Sequence, residues 1–318
     1  MHWYEASLAV MHTQLTCKAY GEQPEAAVEA AFAEVERLEL VFSRFLAQSE
    51  ISQINAHAGK TLVDVSVDTI TVLQEAIAVG DLSCGLFDVT IAPLMNLWDF
   101  THAKKAPTQN AIEEVRKCVD YRKLQVDVQA HRAGLCESGM SLDMGGLAKG
   151  YAADCAKQVL AAWGITSAYI NIGGNVLLLG EKPDGSGWKV GIRHPRVASS
   201  LVGAIAAKDV SVVTSGDYER FFIDSEGAWY HHIVNPKTGY PSRSGLLSLT
   251  VVCPRSLHAD ALSTTFFLAG LDGCRRYLAQ LPDVGVFALD ANMHGWITES
   301  LVPAFQPVTG LGISLLEV

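Results

Sequence analysis

The sequence predicts an α+β fold in which mixed, partly antiparallel sheets pack with helices. Three observations carry that expectation. Stretches of helical period and stretches of strand character interleave along the chain without the regular strand–helix–strand alternation of a parallel α/β protein. Several β signals in succession follow a central glycine turn and helix. The G-x-G-x-x-G turn that would favour a doubly wound parallel sheet is absent. The chain has 318 residues, enough for one large domain or two moderate ones, and it reads as one domain over 1–318 or as two intertwined α/β subdomains.

In order, residues 7–20 alternate like a strand that carries Met11, and Pro24 opens a helix with an apolar face of Val28, Phe32, Val35, Leu38 and Phe42. The polar segment SRFLAQSEISQIN reads as a loop with a second short helix, 62–65 as a short strand and 68–79 as a helix. CGLFDVTIAPLMNLWDF (84–100) mixes large apolar side chains with Gly85, Asp88 and Pro93, and is neither a clean helix nor a clean strand. An exposed loop over 101–110 precedes a helix over 111–119. In SLDMGGLAKG a strand end and a tight turn at Gly145–Gly146 feed a helix whose apolar positions are Ala148, Tyr151, Ala152, Cys155, Val159 and Ala162, with Gly164 as the stop. Strand signals follow over 167–180, 188–194, 203–214, 220–234 and 246–253, then helices over 258–270 and 271–281, and a hairpin over 284–297.

Composition narrows the function classes. Net charge is −10 with no basic run, which argues against sequence-independent nucleic-acid binding. No apolar run approaches the roughly 20 residues of a membrane helix. Cys17, Cys84, Cys118, Cys136, Cys155, Cys253 and Cys274 are scattered without a C-x-x-C pair, so neither a disulfide framework nor a zinc site is expected. The first residues show no signal peptide, and the expected compartment is cytoplasmic, or periplasmic where a leader has been removed.

Four stretches offer chemistry, each beside a plainer reading. The Gly145–Gly146 turn, flanked by Asp143 and Lys149, places free N–H groups and a helix dipole where an anion can sit, though many strand–turn–helix joints bind nothing. HHIVNPKTGYP places a histidine pair before a turn, either a base near neutral pH or two strand histidines, one in and one out. TSGDYER suits close backbone approach to a ligand, or an ordinary tight turn. Asp260 and Thr264, four apart on a helix, share a face and offer hard oxygens to Mg²⁺, or Asp260 simply serves the helix start. Asp88 is either a ligand contact or a hydrogen-bond hub, and Trp98 and Phe100 fit a core better than a cofactor stack.

Together SRFLAQSEISQIN, GLFDVTIAPLMNLWDF, SLDMGGLAKGYAAD, INIGGN, W-x-V-G-I-x-x-P, TSGDYER, HHIVNPKTGYP and ADALSTTFFLAG resemble one family, the ApbE flavin transferases, in that family's order and across nearly the whole chain. The resemblance implies an active site between two halves of the fold and an enzyme that takes FAD and Mg²⁺. Such an enzyme cleaves the FAD pyrophosphate, releases AMP and attaches FMN to a threonine of an acceptor flavoprotein. By position it implies Met11, Phe45, Leu86, Phe87, Asp88, Asp143, Lys149 and Val234 as FAD contacts, Asp260, Thr264 and the Gly146 carbonyl as magnesium ligands, and His232 as the base. The family's Met-Gly-Thr stands here as Met11-His12-Thr13, and the anchoring cysteine of many members is not seen. An FAD pyrophosphatase and a non-catalytic FAD-binding protein are the rival expectations.

Overall fold

The computed structural model describes residues 2–317. Strands β1 (His2–Val10) and β2 (Thr13–Gly21) form an antiparallel hairpin closed by Met11 and His12, whose φ angles are 53° and 56°. That corrects the single strand expected over 7–20. Two consecutive positive φ values are the mark of a two-residue hairpin turn, usually built with Asn and Gly, and neither is present to announce it. The Met11 N–H donates to Glu39 Oε1 at 2.7 Å, which anchors the turn to helix α1 (Pro24–Phe42). That helix starts at Pro24 and buries Val28, Val35, Leu38 and Phe42 as spaced, with Phe32 half-buried.

Helix α2 (Glu50–Ala56) is capped by Ser49, strand β3 (Val63–Asp64) is short, and helix α3 (Val67–Leu82) is capped by Ser66. The irregular 84–100 segment contains helix α4 (Ala92–Trp98), with Pro93 tolerated in its first turn. Helix α5 (Gln109–Arg116) follows, and then a hairpin that sequence patterning had not suggested, β4 (Leu124–Asp127) with β5 (Arg132–Leu135).

The central helix α6 (Ala148–Ala162) ends before Gly164, whose φ of 75° makes glycine the natural stop. Its buried face is corrected. Gly150, Ala152, Ala153, Ala156 and Leu160 are buried, whereas Ala148, Tyr151, Cys155 and Val159 are half-buried and Ala162 is exposed. The helix lies between α1 and the later helix α7 (Ser256–Leu278), so its smallest residues go deepest, where the helix axes must approach.

Strands β6 (Ser167–Ile172), β7 (Asn175–Leu179), β8 (Trp188–Arg193), β9 (Leu201–Ala207) and β10 (Ser211–Gly216) come next. The strand expected over 203–214 is two strands, interrupted by Asp209 at φ 54°. The 220–234 run likewise folds on itself as β11 (Phe221–Ile223) and β12 (Trp229–His231). β13 (Leu246–Cys253) leads into α7, which breaks at Gly270 (φ 67°, ψ −177°), in line with the two helices expected there. The chain closes with β14 (Gly285–Asp290), β15 (Gly295–Ile297), β16 (Phe305–Pro307) and β17 (Ile313–Leu315).

A nine-stranded sheet in the order β1-β2-β6-β7-β10-β13-β14-β15-β17 spans the molecule, antiparallel throughout except for the β15–β17 pair. Smaller sheets are β16-β9-β8, β3-β5-β4 and the β11–β12 pair. The α+β expectation therefore holds. One apolar core lies between β2, β6, β7 and helices α1, α3 and α6, and another packs α7 on β13 and β14. Trp98 and Phe100 stack with ring centroids 5.7 Å apart, and fully buried Trp98 donates from Nε1 to the Gly239 carbonyl at 2.8 Å, so these rings are core.

Candidate active site

Between the β1–β2 turn, the end of α1, the 86–91 segment, the turn before α6, strand β10 and α7 lies a cleft of about 770 Å³. The sequence places its lining hundreds of residues apart, yet every candidate meets here. Met11, Phe45, Leu86 and Phe87 form one wall, Asp143, Gly146 and Lys149 the turn, Asp260 and Thr264 the floor, and His232 and Val234 the far side. Asp88 lines the cleft as well.

The floor is set by how α6 crosses α7. Asp154 of α6 accepts from the Ser256 and Leu257 N–H groups, both at 2.9 Å, and so caps the start of α7. One turn on, buried Asp260 accepts from the Gly150 N–H at 2.9 Å through Oδ2 and keeps Oδ1 toward the cleft, 3.6 Å from Lys149 Nζ. A Cβ on Gly150 would stand 2.8 Å from both Asp260 Cβ and Leu257 Cα, so glycine alone permits the crossing. Replacing Gly150 by alanine is expected to force the helices apart at a cost of about 1–3 kcal/mol. The same change loosens the Asp260 anchor, so a lower unfolding temperature should come with weaker binding of divalent cation in titration calorimetry. Unchanged values for both would refute this account of the crossing.

Asp260, Thr264 and the backbone at Gly146 offer only oxygen donors. Gly146 is near enough that an added Cβ would lie 3.6 Å from Thr264 Oγ1. Among the described residues no group of three or more His, Cys, Asp or Glu side chains gathers. One carboxylate, one hydroxyl and one carbonyl fit a hard cation that completes its shell with water and phosphate oxygens. Ser215 of β10 packs beside them, 2.9 Å from Ser263 Oγ and 3.5 Å from Thr264 Oγ1. Sequence reasoning had not singled it out, although its strand-end glycine segment had been marked for close approach.

The turn is polar and held in place. Asp143 accepts from the Gly145 N–H at 2.8 Å and pairs with Arg44 Nε at 3.1 Å, and Lys149 Nζ donates to the Gly145 carbonyl at 2.8 Å. Arg44, also unforeseen, sits with its guanidinium 4.7 Å from the Phe45 ring, which is 65% exposed. Asp88 takes the hub role. Its carboxylate accepts from the Thr90 N–H (2.8 Å) and hydroxyl (2.6 Å) and from the Tyr121 N–H (3.0 Å), while burial pushes its pKa up against those bonds.

The two histidines divide as one in and one out. His231 is buried, donates from Nε2 to the Ser242 carbonyl at 3.0 Å and accepts the Ile233 N–H at Nδ1, so both nitrogens are spent on structure. His232 lines the cleft, and its buried Nδ1 has no hydrogen-bond partner among the described residues. Burial, with Arg220 and His231 adding repulsion, pushes its pKa down to about 3, so the imidazole is neutral at ordinary pH.

Residues 11–288 match the family model described as the ApbE family. The chain is 34% identical over 300 residues to the FAD:protein FMN transferase of Treponema pallidum (strain Nichols), covering 88% of this chain and 83% of that protein. It is 32% identical over 292 residues to one from Klebsiella pneumoniae (strain 342), covering 91% and 90%. In structure it superposes on the ApbE protein of Thermotoga maritima MSB8 with a TM-score of 0.88 at 30% identity, covering 95% of this chain and 99% of that one. The flavin transferase ApbE of Vibrio cholerae superposes with a TM-score of 0.85 at 26% identity, again covering 95% and 99%.

Proposed function

The chain belongs to the ApbE family, and from that premise we propose that it transfers FMN from FAD to a threonine hydroxyl of an acceptor flavoprotein, releasing AMP in a magnesium-dependent reaction. The names of its relatives, FAD:protein FMN transferase, support the reaction class. The observation that carries the reading is the convergence in one cleft of an oxygen-donor set fit for a hard cation, an anion-compatible turn and a neutral histidine.

In this reading Phe45, Leu86, Phe87, Met11 and Val234 hold the flavin half of FAD by apolar contact, and Asp88 fixes the segment that carries Leu86 and Phe87. The pyrophosphate lies over the Gly145–Gly146 turn, where Lys149 and the start of α6 balance its charge. Asp143 fixes the turn through the Gly145 N–H. Asp260, Thr264 and the Gly146 carbonyl would hold Mg²⁺, which when bound would supply positive charge to offset that of the pyrophosphate and of the leaving AMP. The threonine oxygen bonds to the FMN phosphorus as the bond to the AMP oxygen breaks, and AMP leaves with that electron pair. His232 takes the threonine proton, because a hydroxyl is a poor nucleophile without an adjacent base. The dianionic substrate raises the affinity of His232 for that proton above its level in the free cleft.

The test mixes the protein with FAD, Mg²⁺ and a flavin-free acceptor domain bearing a target threonine. AMP by chromatography and an FMN mass increment on the acceptor, both lost on chelation, are expected. AMP and free FMN without the increment would establish an FAD pyrophosphatase instead, and tightly held FAD without AMP would leave a binding protein.

A further inference from the structure

The two-stranded sheet β11–β12 is separate from the larger sheets. Arg220 and His232, both on the cleft, close its inner end, with the His232 N–H donating to the Arg220 carbonyl at 2.9 Å. The Asp224 N–H donates to the Ala228 carbonyl at 3.1 Å and closes the outer end. Bonded pairs alternate along an antiparallel ladder, so Phe222 bonds inward to its partner Tyr230. The N–H and C=O groups of Phe221 and Ile223 consequently face the other way, along the outer edge of β11. Among the described residues that strand pairs only with β12.

The face beside this edge is apolar and already ordered. Phe221, Ile223 and Trp229 are 39%, 52% and 36% exposed. Phe221 stacks on Trp229 with ring centroids 3.8 Å apart. Trp229 donates from Nε1 to the Asp217 carbonyl at 3.1 Å and lies under the Arg196 guanidinium at 5.4 Å, and Arg196 is itself clamped on the Asp217 carboxylate at 2.7 and 2.6 Å. Rings fixed in this way lose little side-chain entropy when a partner covers them. Proteins usually blunt an open edge by keeping it short or with Lys, Pro or a bulge; Phe221-Phe222-Ile223 is short but has no Lys, Pro or bulge.

We propose that the edge of β11 is the docking site of the acceptor protein. An extended segment of the acceptor adds as a third strand, sets an apolar side chain on the Phe221–Ile223–Trp229 face, and carries its threonine past Arg220 to His232. Arg220, the residue before Phe221, lines the cleft, so a strand laid on this edge ends beside the site. A second copy of this chain paired there would block that path. The proposal rests on the FMN-transfer reading above.

Two variants test it without touching the cleft lining. Ile223→Asp removes apolar area and adds charge, and Ile223→Pro adds no charge but removes the outward N–H and trims the side chain. The probe is a flavin-free acceptor domain bearing a target threonine, with FAD affinity measured in parallel. In both variants the KM for the acceptor should rise tenfold or more, while kcat at saturating acceptor and FAD affinity stay level. In the unchanged chain, amide exchange at Phe221 and Ile223 should slow when the acceptor is added, and exchange at Phe222 should not change. An unaltered acceptor KM in both variants overturns the docking site and leaves FMN transfer standing. Absence of flavinylation by the unchanged chain overturns the transfer reading and this partner with it. Exchange at Phe221 and Ile223 already slowed without acceptor, together with a dimer in sedimentation, would assign the edge to a second copy and overturn the proposal.

Discussion

Replacing Asp260 by alanine is expected to cut metal-dependent AMP release by about 10²–10³-fold, because it removes the only carboxylate among the three oxygen donors Asp260, Thr264 and Gly146. The scale follows from the charge involved. A pyrophosphate under attack accumulates negative charge that a cation must offset, and one preorganised group aimed at such charge is commonly worth 10²–10³ in rate. Alanine also leaves the buried Gly150 N–H without its acceptor, at about 1–3 kcal/mol of stability, so a loss of activity alone could reflect a loosened helix crossing. Asp260→Asn separates the two effects. It keeps an oxygen for the Gly150 N–H and discards the charge, so it should unfold near the parent temperature while losing metal affinity and turnover. Full activity in the asparagine variant would sink the metal assignment.

The second large effect belongs to His232. Its alanine variant should bind FAD with little change and lose about 10²–10⁴-fold in transfer to the acceptor, the usual reach of a general base. Unimpaired transfer would remove His232 from the reaction. Stability against pH supplies an independent check. The folded pKa of about 3 lies below the ordinary 6.5, so between those values the unfolded chain binds the proton that the folded chain refuses. The contribution of neutral His232 to stability is therefore complete above about pH 6.5 and is lost as the pH falls toward 3. His232→Ala should flatten that acid slope in urea unfolding between pH 7 and 4. An unchanged slope would mean that the imidazole is not held neutral by its surroundings.

Much of the chain was legible before any coordinates. The periodicity of α1 and α3, the β-branched run of β13 and the glycine break at Gly270 are local properties, written in spacing and in the few residues that tolerate a given φ. The β1–β2 turn was not legible, because Met11 and His12 adopt positive φ without being glycine or asparagine, and the Glu39 contact that stabilises them lies 28 residues away. The α6 face was misjudged for a related reason. Hydrophobic size suggests which residues seek a core, but close packing between two helices rewards the smallest.

The candidate site divides along the same line. The sequence by itself determined the kinds of group available: a glycine turn with Lys149, a carboxylate and a hydroxyl four residues apart, a histidine pair before a turn, and a pattern of segments matching one family. Each follows from neighbours within a few positions. Only the tertiary structure decided that Asp88 spends its carboxylate on Thr90 and the distant Tyr121 N–H, that His231 is structural while His232 faces the cleft, and that Arg44 and Ser215 join the site. Those outcomes depend on burial and on partners tens to hundreds of residues distant. A side chain's chemistry is local, but its hydration and its hydrogen-bond partners are set by the whole packed molecule.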